Sequence, residues 1–493
     1  MNSLLNKFIP NSIWKVVLGF TLFRIILALL LPLTPQEAYY WSWSRELALS
    51  YFDHPPLASY SIWLTTTIFG QTIFGIKFAA VLWFLGTNVL WAKLIQEMFQ
   101  NEKQTFWTLL ALNASIAFEL YGFVISPDTP LIFAWTATIY AIWKLIQTEH
   151  PKWWYIAGIF LGLAWLGKYS GVLLIPSILI FTLSSQKQRK WLLTPHPYLG
   201  VLLAFLVFLP VLIWNANHDW ISFAFQGSRR TSGMGHWEFR FAGELLGSQL
   251  FMLTPYLFVL VVATIIRYGR QLFSNLEDKL LLLLSSGLFT SIFFAVVSFR
   301  SLVKMNWLVP AYWSLIILGV AYLFQDPLRV KRLKVGVYSS FVFLGLGISV
   351  VAIPNVPLGE GNTWSGWKTA TEEVSGIRDS LETKGEMNFI FSTNYKASSL
   401  LKFYLSDQPR TYAQDIIGRP ALQFDIWEKP DSLIGKTGIL VVDDRREYRF
   451  RRARLEPYFR DIEKVRSVKI ENFGQAVRQI DIYLCKQYVG SDR

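Results

Sequence analysis

Apolar runs of membrane-crossing length, separated by short polar stretches, fill the chain from its start to about residue 353. A helix needs roughly 20 mostly apolar residues to cross a bilayer. The pattern predicts spans, several of them short by that measure, at 13–33, 76–98, 105–125, 130–147, 153–167, 170–184, 197–214, 242–266, 280–298, 307–324 and 335–353. The stretch 57–69 is shorter and more polar and reads as a helix lying at the interface. The first span follows Lys7 and Lys15 as a signal peptide would, but it runs into Pro35-Gln36-Glu37 with no small-residue cleavage site and reads as a retained anchor. Beyond residue 353 the pattern changes. Residues 369–383 have a helical period, Asn388–Ser392 and Gly438–Val442 are apolar runs of strand length, and 477–485 alternates as a strand does. The expected fold is therefore an α-helical polytopic membrane protein of about eleven transmembrane helices (1–353), followed by a small C-terminal α/β domain (354–493).

Charge follows the same boundary. Residues 1–353 carry 25 Lys/Arg and 14 Asp/Glu, and the remaining 140 residues carry 22 and 20. Only the second part approaches the charged fraction of a water-soluble domain, about 25%. The net charge of +13 lies mostly between apolar runs, where topology explains it without a nucleic-acid partner. With the N-terminus cytoplasmic, 16 basic residues fall on the inner side and 8 on the outer. Positive charge favours the inner side, so the tail is expected to be extracytoplasmic. The single cysteine, Cys485, excludes an intrachain disulfide and a Cys-based zinc site.

This topology places the longest early polar interruption, 34–56, on the outer side together with Asp128, Lys168-Tyr169, the loop 215–240 and Arg300 to Lys304. The loop reads TPQEAYYWSWSRELALSYFDHPP. Its plain reading is an interfacial amphipathic helix, aromatics at headgroup depth and acids in water. Its functional reading is a carboxylate beside aromatic faces, suited to act as general base on a sugar hydroxyl. Asp128 in Ser126-Pro-Asp-Thr-Pro130 can serve a site or simply cap the helix starting at Thr129-Pro130. Lys168 lies between two apolar spans, where an ammonium must snorkel to water or meet an anion. Arg24, inside the first span, needs an outer acid or a lipid as partner. His54 beside Asp53 and His218 beside Asp219 are the candidates for an oxygen-rich divalent-cation site. The run Arg445, Arg446, Arg449, Arg451, Arg452 and Arg454 reads as a solvated face, with anionic lipid or glycan as the alternative.

The segment EAYYWSWSRELALSYFDHPPL resembles the first outer loop of bacterial polytopic glycosyltransferases of the C-type superfamily, relatives of the protein O-mannosyltransferases, aminoarabinose transferases and lipid A galacturonosyltransferases. The resemblance continues through SPDTPLIFAW (126–135), GLAWLGKYSGVLLIP (162–176), FLPVLIWNANHDWISFAFQ (208–226), VKMNWLVPAYW (303–313) and, in the tail, ALQFDIW (421–427). It implies transfer of a sugar from a polyprenyl-phosphate carrier to a glycan, lipid or protein acceptor at the outer face of the bacterial cytoplasmic membrane. No P-loop and no GxGxxG after a strand is visible, as expected if the donor is a lipid and not a nucleotide sugar.

On this resemblance Glu37, Asp53 and Asp128 are the candidate catalytic acids. Lys168, Lys304 and Arg300 would hold the departing phosphate, and Tyr39, Tyr40, His54 and Tyr169 would contact substrate. Some relatives use a divalent cation, magnesium or manganese, and others none. The family begins the loop with an Asp-Glu pair, whereas here the pair is Gln36-Glu37. Glu37, Asp53 and Asp128 thus remain open as the base, and a non-catalytic divergent member is an alternative. A transporter or flippase of the same lipids is the rival class. It would place ionisable groups near the bilayer midplane and show internal repeats, whereas no repeat is visible here and, apart from Arg24, the candidate groups lie at span ends on one side.

Overall fold

Residues 9–231, 237–274, 276–358, 361–427, 431–445 and 451–490 are described in the computed structural model. The chain forms two compact units, Met1–Leu29 with His54–Ile348, and Leu30–Asp53 with Ser349–Arg493. Hydropathy assigns residues 30–53 to the membrane domain, as the end of the first span and most of the loop that follows it. In the structure they group with the tail, because their aromatic side chains find partners there.

The first unit is helical throughout, and each of the eleven expected spans is helical over most of its length. Among the described residues, however, only six helices are long and apolar enough to cross a membrane: Asn11–Leu30, Ile73–Phe99, Asp128–Thr148, His196–Ala216, Asp278–Val297 and Pro327–Ala352. A bent pair would make seven, so the count of eleven is not confirmed. Breaks that a hydropathy average passes over account for the difference. The 105–125 stretch splits into Glu102–Asn113 and Ile116–Tyr121. The 170–184 stretch opens with a 3-10 turn, Tyr169–Leu173. The 242–266 stretch is Phe239–Leu253 followed by Pro255–Gly269, bent by 115°. Thr254 at the break has φ +71°, and Pro255 disfavours a helical residue before it. The stretch 57–69 is a helix, Leu57–Phe69, with Ile62 and Thr66 buried on one face and Trp63, Leu64 and Ile68 exposed.

Small residues let two helices approach closely. Gly158 and Gly162 form a GxxxG pair on Lys152–Gly167, which packs against His196–Ala216. A Cβ at Gly158 would lie 2.1 Å from the Gly200 carbonyl oxygen, so only glycine permits this backbone contact. On other helices Leu22, Leu30, Leu328 and Leu346 remain exposed, as residues facing lipid do.

Arg24 pairs with Glu119, an acid inside the expected 105–125 span and not in an outer loop. Its Nη2 donates to Glu119 Oε2 at 2.8 Å and to Asn113 Oδ1 at 2.6 Å, and Asn113 Nδ2 donates to Asn88 Oδ1 at 2.8 Å. Arg24 and Glu119 are fully buried, and the guanidinium lies 4.9 Å from the Phe84 ring. The network pins the first helix to three others.

In the second unit, five strands form one sheet in the order β2-β1-β3-β5-β4. These are β1 (Asn388–Ser392), β2 (Thr411–Tyr412), β3 (Thr437–Asp443), β4 (Phe459–Asn472) and β5 (Gln475–Tyr488). The pairs β1–β2 and β1–β3 are parallel, while β3–β5 and β4–β5 are antiparallel. Central β3 is buried on both faces, which explains its unbroken apolar run. The β4–β5 hairpin turns through Phe473 and Gly474, both at positive φ, as a tight two-residue turn requires. β4 escapes sequence reading because its buried residues Phe459, Ile462, Val468 and Ile470 straddle a bulge at Lys464/Arg466, and the two-residue period is lost.

The expected arginine face is divided. Arg445 is buried, donating to Asp443 Oδ2 from Nε at 2.9 Å, and Arg478 joins the same oxygen at 2.8 Å. Arg451, Arg452 and Arg454 are exposed, whereas Arg446 and Arg449 lie outside the described residues.

Candidate functional site

Thr34 begins the short helix Pro35–Ser44. Its hydroxyl accepts from the Glu37 amide at 3.2 Å, while Glu37 Oε2 accepts from the Thr34 amide at 3.0 Å. This reciprocal cap, with Pro35 at the first position, fixes the helix start and the Glu37 rotamer. Glu37 is fully buried. The helix is therefore not the interfacial one of the plain reading, because its acid and its aromatics are packed inside protein. Trp41 meets Phe403 at 5.1 Å, Tyr39 meets Tyr395 at 4.6 Å, and Trp43 stacks on Tyr51 at 4.4 Å. The partners at 395 and 403 come from the tail helix Tyr395–Tyr404.

Asp53 closes the other end of this segment. Tyr39 donates its hydroxyl to Asp53 Oδ1 at 3.0 Å and accepts from the Gln423 amide at 3.2 Å. Gln423 Oε1 in turn accepts from the Phe52 amide at 2.8 Å. Burial, reinforced by the Asp53 and Tyr395 charges, pushes the Tyr39 phenol well above its ordinary range, so it remains a donor to Asp53. Burial and then Glu37 push Tyr404 up to about 12. Tyr40 lies beside Tyr39, ring centres 5.8 Å apart. The structure thus joins Tyr39, Tyr40 and Asp53, and carries Glu37 on the same short helix as the two tyrosines. It adds Gln423, Tyr395 and Tyr404, of which only Gln423, within ALQFDIW, carried a sequence signal.

In the first unit, Asp128 meets Lys168. The helix Lys152–Gly167 ends at Lys168, whose extended backbone turns the side chain to Asp128 Oδ1, 2.7 Å from Nζ. Asn306 Nδ2 donates to the other oxygen, Oδ2, at 2.7 Å. Asp128 and Lys168 are 3% and 6% exposed, so the ammonium is not snorkelling to water. Asp128 is not a helix cap either. The helix starts one residue earlier than expected, at Asp128 itself, with Pro127 before it and no side-chain cap bond. Asn306 lies within VKMNWLVPAYW (303–313) but was not singled out, because an Asn-Trp pair means little alone.

The remaining candidates are placed differently. Tyr169 packs edge-on to Phe208, ring centres 6.3 Å apart. Arg300 is exposed and sits 5.0 Å from the Trp237 ring centre. Lys304 is exposed, and His54 is half-buried. His218 stacks on Trp214 at 3.9 Å with Nδ1 against the Trp214 carbonyl at 2.7 Å. Among the described residues, no three His, Cys, Asp or Glu side chains gather into a cation-binding group.

Residues 53–214 match the family model described as dolichyl-phosphate-mannose-protein mannosyltransferase. The match includes Asp53, His54, Asp128, Lys168 and Tyr169 and begins after Glu37. Over 443 residues the chain is 25% identical to the lipid A galacturonosyltransferase RgtD of Rhizobium johnstonii, covering 88% of this chain and 91% of that one. It is 27% identical over 210 residues, 38% of each chain, to undecaprenyl phosphate-alpha-4-amino-4-deoxy-L-arabinose arabinosyl transferase 2 of Pseudomonas fluorescens. Among solved structures, ArnT from Cupriavidus metallidurans bound to undecaprenyl phosphate matches with a TM-score of 0.64 at 15% identity, over 96% of this chain and 98% of that one.

Proposed function

We propose that this chain, which belongs with the polytopic C-type glycosyltransferases, moves a sugar from a polyprenyl-phosphate donor to an acceptor hydroxyl at the extracytoplasmic face of the cytoplasmic membrane. The observation that carries the reading is the alignment to a lipid A galacturonosyltransferase, which takes in 88% of the chain. That relative's name makes lipid A the first acceptor to test, ahead of other glycans, lipids or proteins.

The reaction breaks the bond between the sugar's anomeric carbon and the phosphate oxygen and forms one to the acceptor oxygen. The acceptor loses a proton and polyprenyl phosphate leaves. The proton needs a base, and the departing phosphate needs positive charge. Glu37, held in one rotamer by its cap, takes the base role, with Asp53 and Asp128 as the parallel candidates. Lys168 uses one ammonium proton on Asp128 and has two more with which to hold phosphate.

Purified protein incubated with a panel of polyprenyl-phosphate sugars and lipid A is expected to release polyprenyl phosphate from one of them. A flippase would move the lipid without releasing it. Chelation, followed by adding back magnesium or manganese, reads metal dependence in the same assay. Lys168→Gln keeps a donor for Asp128 but removes the charge. It is expected to weaken undecaprenyl phosphate binding about 10- to 100-fold, the scale of a charge-assisted phosphate contact. Unchanged affinity would remove Lys168 from the donor site.

The orientation rests on the 16-to-8 basic split. Cys485 is buried in β5 and burial pushes its thiol up to about 12, so it is a quiet background for labelling. Cysteines placed at exposed Leu47 and Phe473 are expected to react with an impermeant thiol reagent from outside intact cells, and one at exposed Lys187 is not. Labelling at the Lys187 position alone would reverse the topology.

A further inference from the structure

We infer that Asn306 is a positioning residue of the donor site, setting through Asp128 where the Lys168 ammonium points. The inference rests on the glycosyltransferase reading above and deepens it.

Three side chains far apart in sequence meet at one buried carboxylate. Lys168 and Asn306 donate to separate oxygens of Asp128, each at 2.7 Å. A carboxylate can only accept here, so the Asn306 amide must present its Nδ2. Asn306 sits in the turn before the helix Val309–Leu323, where the Trp307 amide bonds to the Lys304 carbonyl at 3.1 Å. Its amide therefore ties the turn that carries Lys304 to the first residue of the helix Asp128–Thr148.

The division of the two oxygens has a consequence. With Oδ2 taken by Asn306, Lys168 meets Asp128 through Oδ1 alone and its other protons remain available. Without Asn306 the carboxylate is released to rotate and engage Lys168 through both oxygens, drawing the ammonium away from a phosphate. An aspartate at 306 would do more. Two carboxylates facing each other at this distance do not both ionise readily, and one takes up a proton as pH falls. Lys168 and Tyr121 are the titratable groups that face Asp128 from the ends of Lys152–Gly167 and Ile116–Tyr121.

The test measures undecaprenyl phosphate binding to the detergent-purified full chain, together with its melting temperature. Asn306→Ala is expected to bind roughly 10-fold more weakly, the scale of losing a hydrogen bond to a charged group. Asn306→Asp, of nearly the same shape, should bind more weakly still at pH 8. Its deficit relative to the unaltered protein should shrink towards pH 5, where a protonated carboxyl again donates to its neighbour. A merely structural role for Asn306 would lower the melting temperature without that pH-dependent recovery. If both Asn306 variants bind as the unaltered protein does while Lys168→Gln does not, this inference falls and the donor site stands. If Lys168→Gln also binds normally, the donor-site reading falls and takes the inference with it.

Discussion

Glu37→Gln is expected to lower turnover about 100-fold or more, the usual scale for losing a general base, with undecaprenyl phosphate binding nearly unchanged. The substitution is clean because of how Glu37 is held. Its Oε2 accepts from the Thr34 amide at 3.0 Å, a bond a glutamine oxygen can also accept, and Gln is a natural partner in this type of cap. The helix Pro35–Ser44 and its contacts with Tyr395 and Phe403 should therefore persist. Basicity is removed while this cap is kept. Asp53→Asn is the companion variant, and it too keeps an acceptor oxygen for the Tyr39 hydroxyl, which stands at 3.0 Å. If Glu37→Gln turns over normally and Asp53→Asn does not, the base is Asp53. If neither variant affects turnover, carboxylate base catalysis from this segment is wrong.

The second large effect is on stability. Arg24→Met is expected to destabilise the first unit by about 3–5 kcal/mol, because it leaves Glu119 as an uncompensated buried charge. Asn113 would lose a donor at the same time. Replacing both partners, Arg24→Met with Glu119→Leu, should recover most of that loss, since an apolar pair removes the desolvation penalty along with the attraction. The measurement is a double-mutant comparison of thermal unfolding in detergent. A double variant no more stable than Arg24→Met would mean that the pair does not act as a unit. Gly122→Ala probes the same site from another side, since the added Cβ would lie 2.2 Å from Arg24 Nε. It is expected to destabilise by displacing the guanidinium.

The two candidate clusters differ in how far they were legible. Glu37, Asp53 and Asp128 stood out because a carboxylate in a short polar break between apolar runs is conspicuous. Lys168 stood out because an ammonium between spans must find an anion. What each touches was not legible. Thr34 and Glu37 could be read as a cap from their spacing alone, but the packing of this helix depends on Tyr395, Phe403 and Gln423, more than 350 residues away in the chain. Asn306 sits in the quoted segment VKMNWLVPAYW, but its role was not legible there, since it acts through a carboxylate 178 residues before it.

Hydropathy, charge asymmetry and strand-length runs determined by themselves that a helical membrane unit precedes a small α/β domain. These signals are local or summed along the chain, and lipid or water reads them residue by residue. Tertiary structure alone decided three things: the breaks at Ser115 and Thr254, the grouping of residues 30–53 with the tail, and the acids that answer Arg24 and Lys168. Backbone turns and buried ion pairs depend on which surfaces meet in space. Arg24 therefore pairs with Glu119, inside the expected 105–125 span, and Lys168 with Asp128, because a buried charge takes the partner that packing brings within hydrogen-bond reach.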